Sequence, residues 1–223
     1  MSVLTLRVFQ ILFLAIVVIV VLAFGVFRSI MRPQKFKQLS EDRRAYVIEQ
    51  MKDIRSAQLA YRQAKSEYAA DFETLKDFLL NGKLPRVIKE GSVPDTLTEQ
   101  QALKMGIIKR DTVYDPAFRS VFPDREDFDV NTMDIIKFSN GEKIVMQAGK
   151  VTKSNVEVPV FKATAAHEAF LGSMDESIDN ATGFKKFINN CLYSGLYKQF
   201  NNDEIKDVEV GSMDDPSTDG NWE

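Results

Sequence analysis

A run of 20 residues, Val8 to Phe27, contains no charged side chain, and Gln10 is its only clearly polar member. At about 1.5 Å per residue, a helix over this run reaches roughly 30 Å, the hydrocarbon thickness of a bilayer. Its Val, Ile, Leu and Phe are the residues that insertion favours at the centre of a spanning helix. The competing reading is a cleaved signal peptide with Ala23-Phe24-Gly25 as its small-residue site. The run is longer than the usual apolar core of such peptides, about 7–15 residues, and Arg7 is the only charged side chain before it. The chain therefore reads as a single-pass membrane protein, with residues 1–7 as a tail, 8–27 as the span and 28–38 as a basic juxtamembrane segment.

Charge is unevenly spread. Residues 1–45 carry 7 Lys/Arg against 2 Asp/Glu, leaving 22 against 30 for the remainder of a chain with net charge −3. By the positive-inside tendency, Arg28, Arg32, Lys35, Lys37, Arg43 and Arg44 favour a cytoplasmic soluble part. The same cluster would equally bind anionic headgroups of the bilayer, so the side of the membrane stays open. The slight acidic balance gives no reason to expect nucleic acid as a partner.

Residues 39–223 are expected to form the soluble domain, beginning with an amphipathic helix over 39–80. Val47, Ile54, Tyr61, Tyr68 and Leu75 recur every seven residues, and Met51, Ala57, Ala64, Phe72 and Leu79 fill the same face. The other face carries Glu49, Lys52, Arg55, Arg62, Lys65 and Glu67. Gln58 and Lys65 stand where a long coiled coil would place apolar residues, which favours packing on the protein's own sheet over an identical helix. Asp71 is placed to cap a short second helix, Phe72 to Leu80, with Gly82 beyond it and a break near Tyr68 to Asp71.

Residues 83–131 read as a loop-rich connector containing Pro85, Gly91 and Pro94. Within it, Thr98 and Gln101 have capping-box spacing for a short helix ending near Gly106, and Ile107 to Val113 has the makings of a strand. Residues 132–212 are expected to hold the antiparallel sheet. Ser139-Asn140-Gly141 between Met133–Phe138 and Lys143–Gln147 predicts a hairpin. Val156 to Phe161 predicts an edge strand, because Pro159 cannot donate to a ladder. Phe184 to Phe200 reads as a helix or two irregular turns, Ile205 to Val210 as a last strand, and residues 213–223 as an acidic, solvated tail. The fold class expected is α+β: a transmembrane helix continuing into a long amphipathic helix that packs on a small antiparallel sheet.

Asp53-Ile54-Arg55-Ser56-Ala57-Gln58-Leu59-Ala60-Tyr61, then Glu67-Tyr68 and Phe72-Glu73-Thr74-Leu75, resembles the helix of type IV pilin-like proteins and pseudopilins. Asp219-Gly220-Asn221-Trp222 is also similar to some pseudopilin C-termini. The resemblance implies a membrane-anchored structural or assembly protein of the bacterial envelope, with the soluble domain outside the inner membrane. That family's processing site, a Gly before a mature N-terminus with Glu at its fifth position, has no counterpart in Met1-Ser2-Val3-Leu4-Thr5-Leu6-Arg7. An uncleaved relative, or an analogous bitopic assembly protein, is the expectation.

No residue earns a catalytic, cofactor-binding or metal-binding assignment. One His (His167) and one Cys (Cys191) exclude a His-cluster metal centre, a Cys-based zinc site and a disulfide within the chain. His167 has no nucleophile elbow beside it, and Cys191 lies in an apolar stretch without a basic neighbour to lower its pKa. Gly141, Gly149 and Gly172 are isolated rather than grouped as a phosphate loop. Asp124, Glu126, Asp127 and Asp129, or Asp214, Asp215 and Asp219, would supply oxygens for calcium but lack EF-hand spacing. Calcium is thus the one cofactor considered, and the second cluster gains slightly because some pseudopilins bind it in their C-terminal loop. Tyr61, Tyr68, Phe72 and Phe78 are either core or a stripe for a partner. The expected protein is not an enzyme. Its partners are the lipid bilayer and other protein chains, copies of itself included; the alternative is an anchored module that recruits a partner or ligand.

Overall fold

In the computed structural model, helix α1 (Val3–Lys65) carries the apolar run and the amphipathic segment as one continuous element. The structure describes residues 3–93, 98–125, 128–174, 183–201 and 205–223. It is a mixed helical and sheet molecule with small antiparallel sheets. Residues 7–30 are all exposed, and α1 is long and apolar enough to cross a membrane. Pro33 stands inside α1 and has no N–H, so the Ser29 carbonyl loses its helical donor just past the apolar run.

The chain divides into two compact units. The first comprises Met1–Val47, Lys137–Glu142 and Ala166–Asp207; the second comprises Ile48–Ile136, Lys143–Ala165 and Val208–Glu223. Two segments of the second half of the chain thus group with its N-terminal part.

In the second unit the predicted stripe is interior. Met51, Ile54 and Ala57 are completely buried, and Tyr61 meets Phe78 edge-on with ring centroids 5.1 Å apart. Ser66 has a positive φ as α1 ends. Helix α2 (Phe72–Asn81) then starts at Asp71, whose carboxylate accepts from the Thr74 N–H. That bond holds the Asp71 carboxyl below the usual range, because it stabilises the charged form. Gly82 ends α2 and makes close contact with the preceding turn: a Cβ there would lie 2.3 Å from the Phe78 carbonyl oxygen.

The expected connector is more ordered than its Pro and Gly content implies. β1 (Lys83–Glu90) and β2 (Lys109–Pro116) form a two-stranded antiparallel ribbon. Between them, helix α3 (Glu99–Lys104) opens with the full Thr98–Gln101 capping box. Helix α4 (Ala117–Val121) follows β2, and a single 3-10 turn covers Val130–Thr132.

The hairpin forms at a different place from the one expected. β3 (Val145–Lys153) and β4 (Val156–Ala165) pair around Ser154 and Asn155, both at positive φ, the conformation of a two-residue type I′ turn. At the Asn140-Gly141 site only an isolated bridge, Ile135 to Lys143, is present. The arm before it is instead tied to α1 through Gln50, a buried residue of that helix. Gln50 Nε2 donates to the carbonyls of Met133 (3.0 Å) and Ile135 (2.6 Å), which alternate with the Asp134 carbonyl that accepts from Ile144 N–H (2.8 Å) across the bridge.

β4 lies centrally in the three-stranded sheet β3-β4-β5, not at its edge; β5 is Val208–Gly211. Pro159 is tolerated because β5 pairs only with Lys162 to Ala165, leaving the proline stretch with β3 alone. Gly211 is required: its φ is +77°, and a Cβ would meet the Phe161 carbonyl oxygen at 2.2 Å. The acidic C-terminal segment is folded back rather than free in solvent. Gly211 N–H donates to Asp219 O, Asn221 N–H to Glu209 O, and Arg55 pairs with Glu223 at 2.6 Å.

In the first unit, helices α5 (His167–Gly172), α6 (Gly183–Tyr193) and α7 (Leu196–Phe200) accompany the N-terminal part of α1. The stretch read as a helix or two turns is thus two helices, separated at Gly195 with φ +67°.

Candidate functional site

A concavity in the first unit lies beside α1 from Pro33 to Arg44, with a volume of about 590 Å³. Its apolar wall is Phe36, Phe170, Leu171 and Phe200, and its polar groups are Lys37, Glu41, Arg44 and Lys206. Side chains of α1 build it by holding carbonyls of the later segments. Arg43 donates to Phe170 O (2.6 Å) and Ser173 Oγ (2.9 Å), and Arg44 to Lys206 O (2.7 Å). Phe36 packs against Phe200 at 5.6 Å. Arg32, 5% exposed, donates to the carbonyls of Cys191 (3.0 Å) and Ser194 (2.8 Å) and to the Gln199 side chain (2.8 Å). Burial pushes the Arg43 pKa down from its ordinary value. Lys37 and Glu41 are 3.9 Å apart and partly offset each other, so Arg44 and Lys206 supply the net positive charge at the opening. Apolar walls with cationic groups suit an anionic ligand with an apolar body.

His167 opens α5, and both its backbone N–H (2.8 Å) and its Nδ1 (2.7 Å) meet Asp207 Oδ1. The carboxylate therefore caps α5 from a distant part of the chain, which is a structural use of the only histidine. Nearby, burial pushes the Tyr197 hydroxyl pKa up, with Glu168 and Asp207 adding to it. Among the described residues, the Tyr197 hydroxyl and Trp222 Nε1 are buried without a hydrogen-bond partner. Cys191 is half-buried, and its carbonyl serves Arg32.

In the second unit a smaller hollow of about 420 Å³ is lined by Glu90, Leu103, Gly106, Ile108 and Lys109 to Asp111. Beside it Lys89 and Arg110 converge on Glu99 at 2.9 and 2.7 Å, and their hydrogen bonds lower its pKa to about 2. Asp134, 3% exposed, pairs with Lys76 and Lys143. Its burial would raise the carboxyl pKa, but the two lysines outweigh that and hold it below the usual range.

The acidic clusters are partly accounted for by local bonds. Asp129 caps the 3-10 turn, while Glu126 and Asp127 lie outside the described residues. Asp215 pairs with Lys153, and Asp219 accepts from the Ser217 hydroxyl. Among the described residues no group of three or more His, Cys, Asp or Glu side chains is placed to hold a metal ion. Tyr61, Tyr68 and Phe78 are buried and Phe72 is half-buried, so these aromatics are core rather than an open stripe. Sequence reasoning missed Gln50 and Gln58. Gln58 is completely buried and clasps the backbone of one residue, donating to Ala69 O and accepting from Ala69 N–H, each at 2.9 Å. A glutamine inside an apolar stripe was the only available signal. No protein-family model, no curated protein and no solved structure matches this chain.

Proposed function

We propose that the protein is a non-enzymatic, single-pass membrane-anchored structural or assembly component of the bacterial envelope, pilin-like in build. The observation that carries this reading is α1, in which an uncharged, exposed 20-residue run passes without interruption into a segment with a buried stripe. In this reading the amphipathic half of α1 covers the small sheet. Its support is the Gln58 Nε2 contact to Met146 Sδ on β3 (3.0 Å); just past the end of α1, the Tyr68 ring approaches Phe161 of β4 at 4.7 Å. Partners are then the bilayer and other protein chains.

Alkaline extraction of membranes tests the anchor, and reporters active on only one side, fused after Glu223, test the placement. Retention in the membrane with the reporter outside the cytoplasm is expected for the envelope-assembly reading. Release into the soluble fraction would remove it.

The second reading is an anchored binding module, favoured by the cavity with Phe36, Phe170, Arg44 and Lys206. A cytoplasmic terminus, together with binding of an anionic amphiphile that Arg44→Glu weakens, would put it first.

A further inference from the structure

Helix α6 carries Phe184, Phe187, Ile188 and Cys191 at the i, i+3, i+4 and i+7 offsets of one helical face. The C-terminal part of that face is occupied within its own unit, since Ile188 and Cys191 are half-buried. The N-terminal part is open. Phe184 is 79% exposed and Phe187 59%, and the two rings stack on each other at 6.4 Å. Lys185 and Lys186 sit between them in sequence.

The depth of this helix along α1 is set by Arg32, which holds the Cys191 and Ser194 carbonyls at the end of α6. Arg32 comes five residues after Phe27, the last residue of the uncharged run. That is roughly 7.5 Å along a helix axis. The headgroup layer on each side of a bilayer is about 5–8 Å thick. The α6 terminus therefore stands at headgroup level. Phe187 is four residues before Cys191, so it lies within about 6 Å of that level. The cationic groups of the cavity lie farther out: Arg44 is 17 residues past Phe27, or about 25 Å. Headgroup chemistry thus matches α6 and not the cavity.

We propose that α6 is a second membrane contact, an interfacial helix whose Phe184 and Phe187 enter the headgroup–acyl boundary while Lys185 meets anionic headgroups. Exposed aromatics on one face with lysine beside them are the pattern of helices that lie in the interface plane. The inference rests on the reading of α1 as a membrane anchor. Its consequence is that α5 to α7 of the first unit are held against the bilayer beside the span.

The test uses the full chain in vesicles of phosphatidylcholine and phosphatidylglycerol with brominated acyl chains, which quench tryptophan on contact. Phe187→Trp adds one probe, read as the difference from the parent chain with its single Trp222. The added emission is expected to be blue-shifted and to fall roughly twofold in brominated vesicles, with less quenching when Lys185→Glu is added. Blue-shifted but unquenched emission would mean that a protein surface covers the ring; unshifted emission would mean that it stays in water. Either result overturns the inference, as does quenching indifferent to Lys185→Glu for the headgroup contact. Val17→Trp in a parallel chain reports on the anchor itself. Quenching there without quenching at 187 discards the interfacial helix and keeps the anchor, whereas no quenching at either discards both.

Discussion

Residues 8–27 and residues 48–65 belong to one continuous helix, yet every side chain in the first stretch is exposed, whereas Met51, Ile54, Ala57 and Gln58 in the second are completely buried. The first stretch is apolar around its whole circumference. The second keeps its apolar residues on one face and Lys52, Arg55 and Arg62 off it. A helix that is hydrophobic all round needs an apolar solvent, while a striped one needs a partner surface on one side only. The same backbone geometry thus serves two environments, and side-chain periodicity tells them apart.

The contrast breaks most sharply on one charge. Ile54→Asp in the full chain in detergent is expected to cost about 3–5 kcal/mol and abolish the cooperative melt of the second unit, because a lone carboxylate cannot be solvated there. Val17→Asp should leave that melt unchanged and instead impair membrane insertion, by about 3 kcal/mol. Equal melts for wild type and Ile54→Asp would mean that the stripe is not core.

A smaller effect is expected at Gln58. Gln58→Leu keeps the volume but strands the N–H and C=O of Ala69, and should cost about 3 kcal/mol, read as a lower denaturation midpoint. A neutral result would show that water replaces the clasp.

The smallest of the three is expected at Asp134, for about 1.5 kcal/mol in Asp134→Asn at neutral pH. Because the folded-state pKa of Asp134 is depressed, its contribution is present above the unfolded value of about 3.9 and is lost as pH falls through the folded value. The difference between wild type and variant should therefore shrink in acid below about pH 4. A difference that stays constant into strong acid would assign the loss to packing rather than to the Lys76 and Lys143 pairs.

Local signals were legible wherever the chain settles its own geometry. Asp71 and Gly82 bracket α2, and Thr98 with Gln101 opens α3, because caps are satisfied within one helical turn. The hairpin was not legible in the same way. Asn140-Gly141 is the stronger local turn signal, but only the Ile135–Lys143 bridge forms beside it, in an arm that Gln50, more than 80 residues earlier, ties to α1, and the long ladder closes around Ser154-Asn155. β2 was anticipated in part as Ile107 to Val113, whereas β1 was hidden by Pro85 and by a mostly exposed surface that gives no clean alternation of burial.

The cavity was not visible at all, since Phe36, Phe170 and Phe200 meet only after the chain returns to the N-terminal unit. Nor was the fate of the acidic terminus, whose backbone bonds to Glu209 and Gly211 override the tendency of its carboxylates toward water. By itself the sequence determined the apolar run, the stripe that follows it and the caps, since period and local hydrogen bonding act between residues a turn or two apart. Tertiary structure alone decided which hairpin closes, which polar residues are buried and where a cavity opens. Those outcomes depend on donors and acceptors brought together from distant parts of the chain.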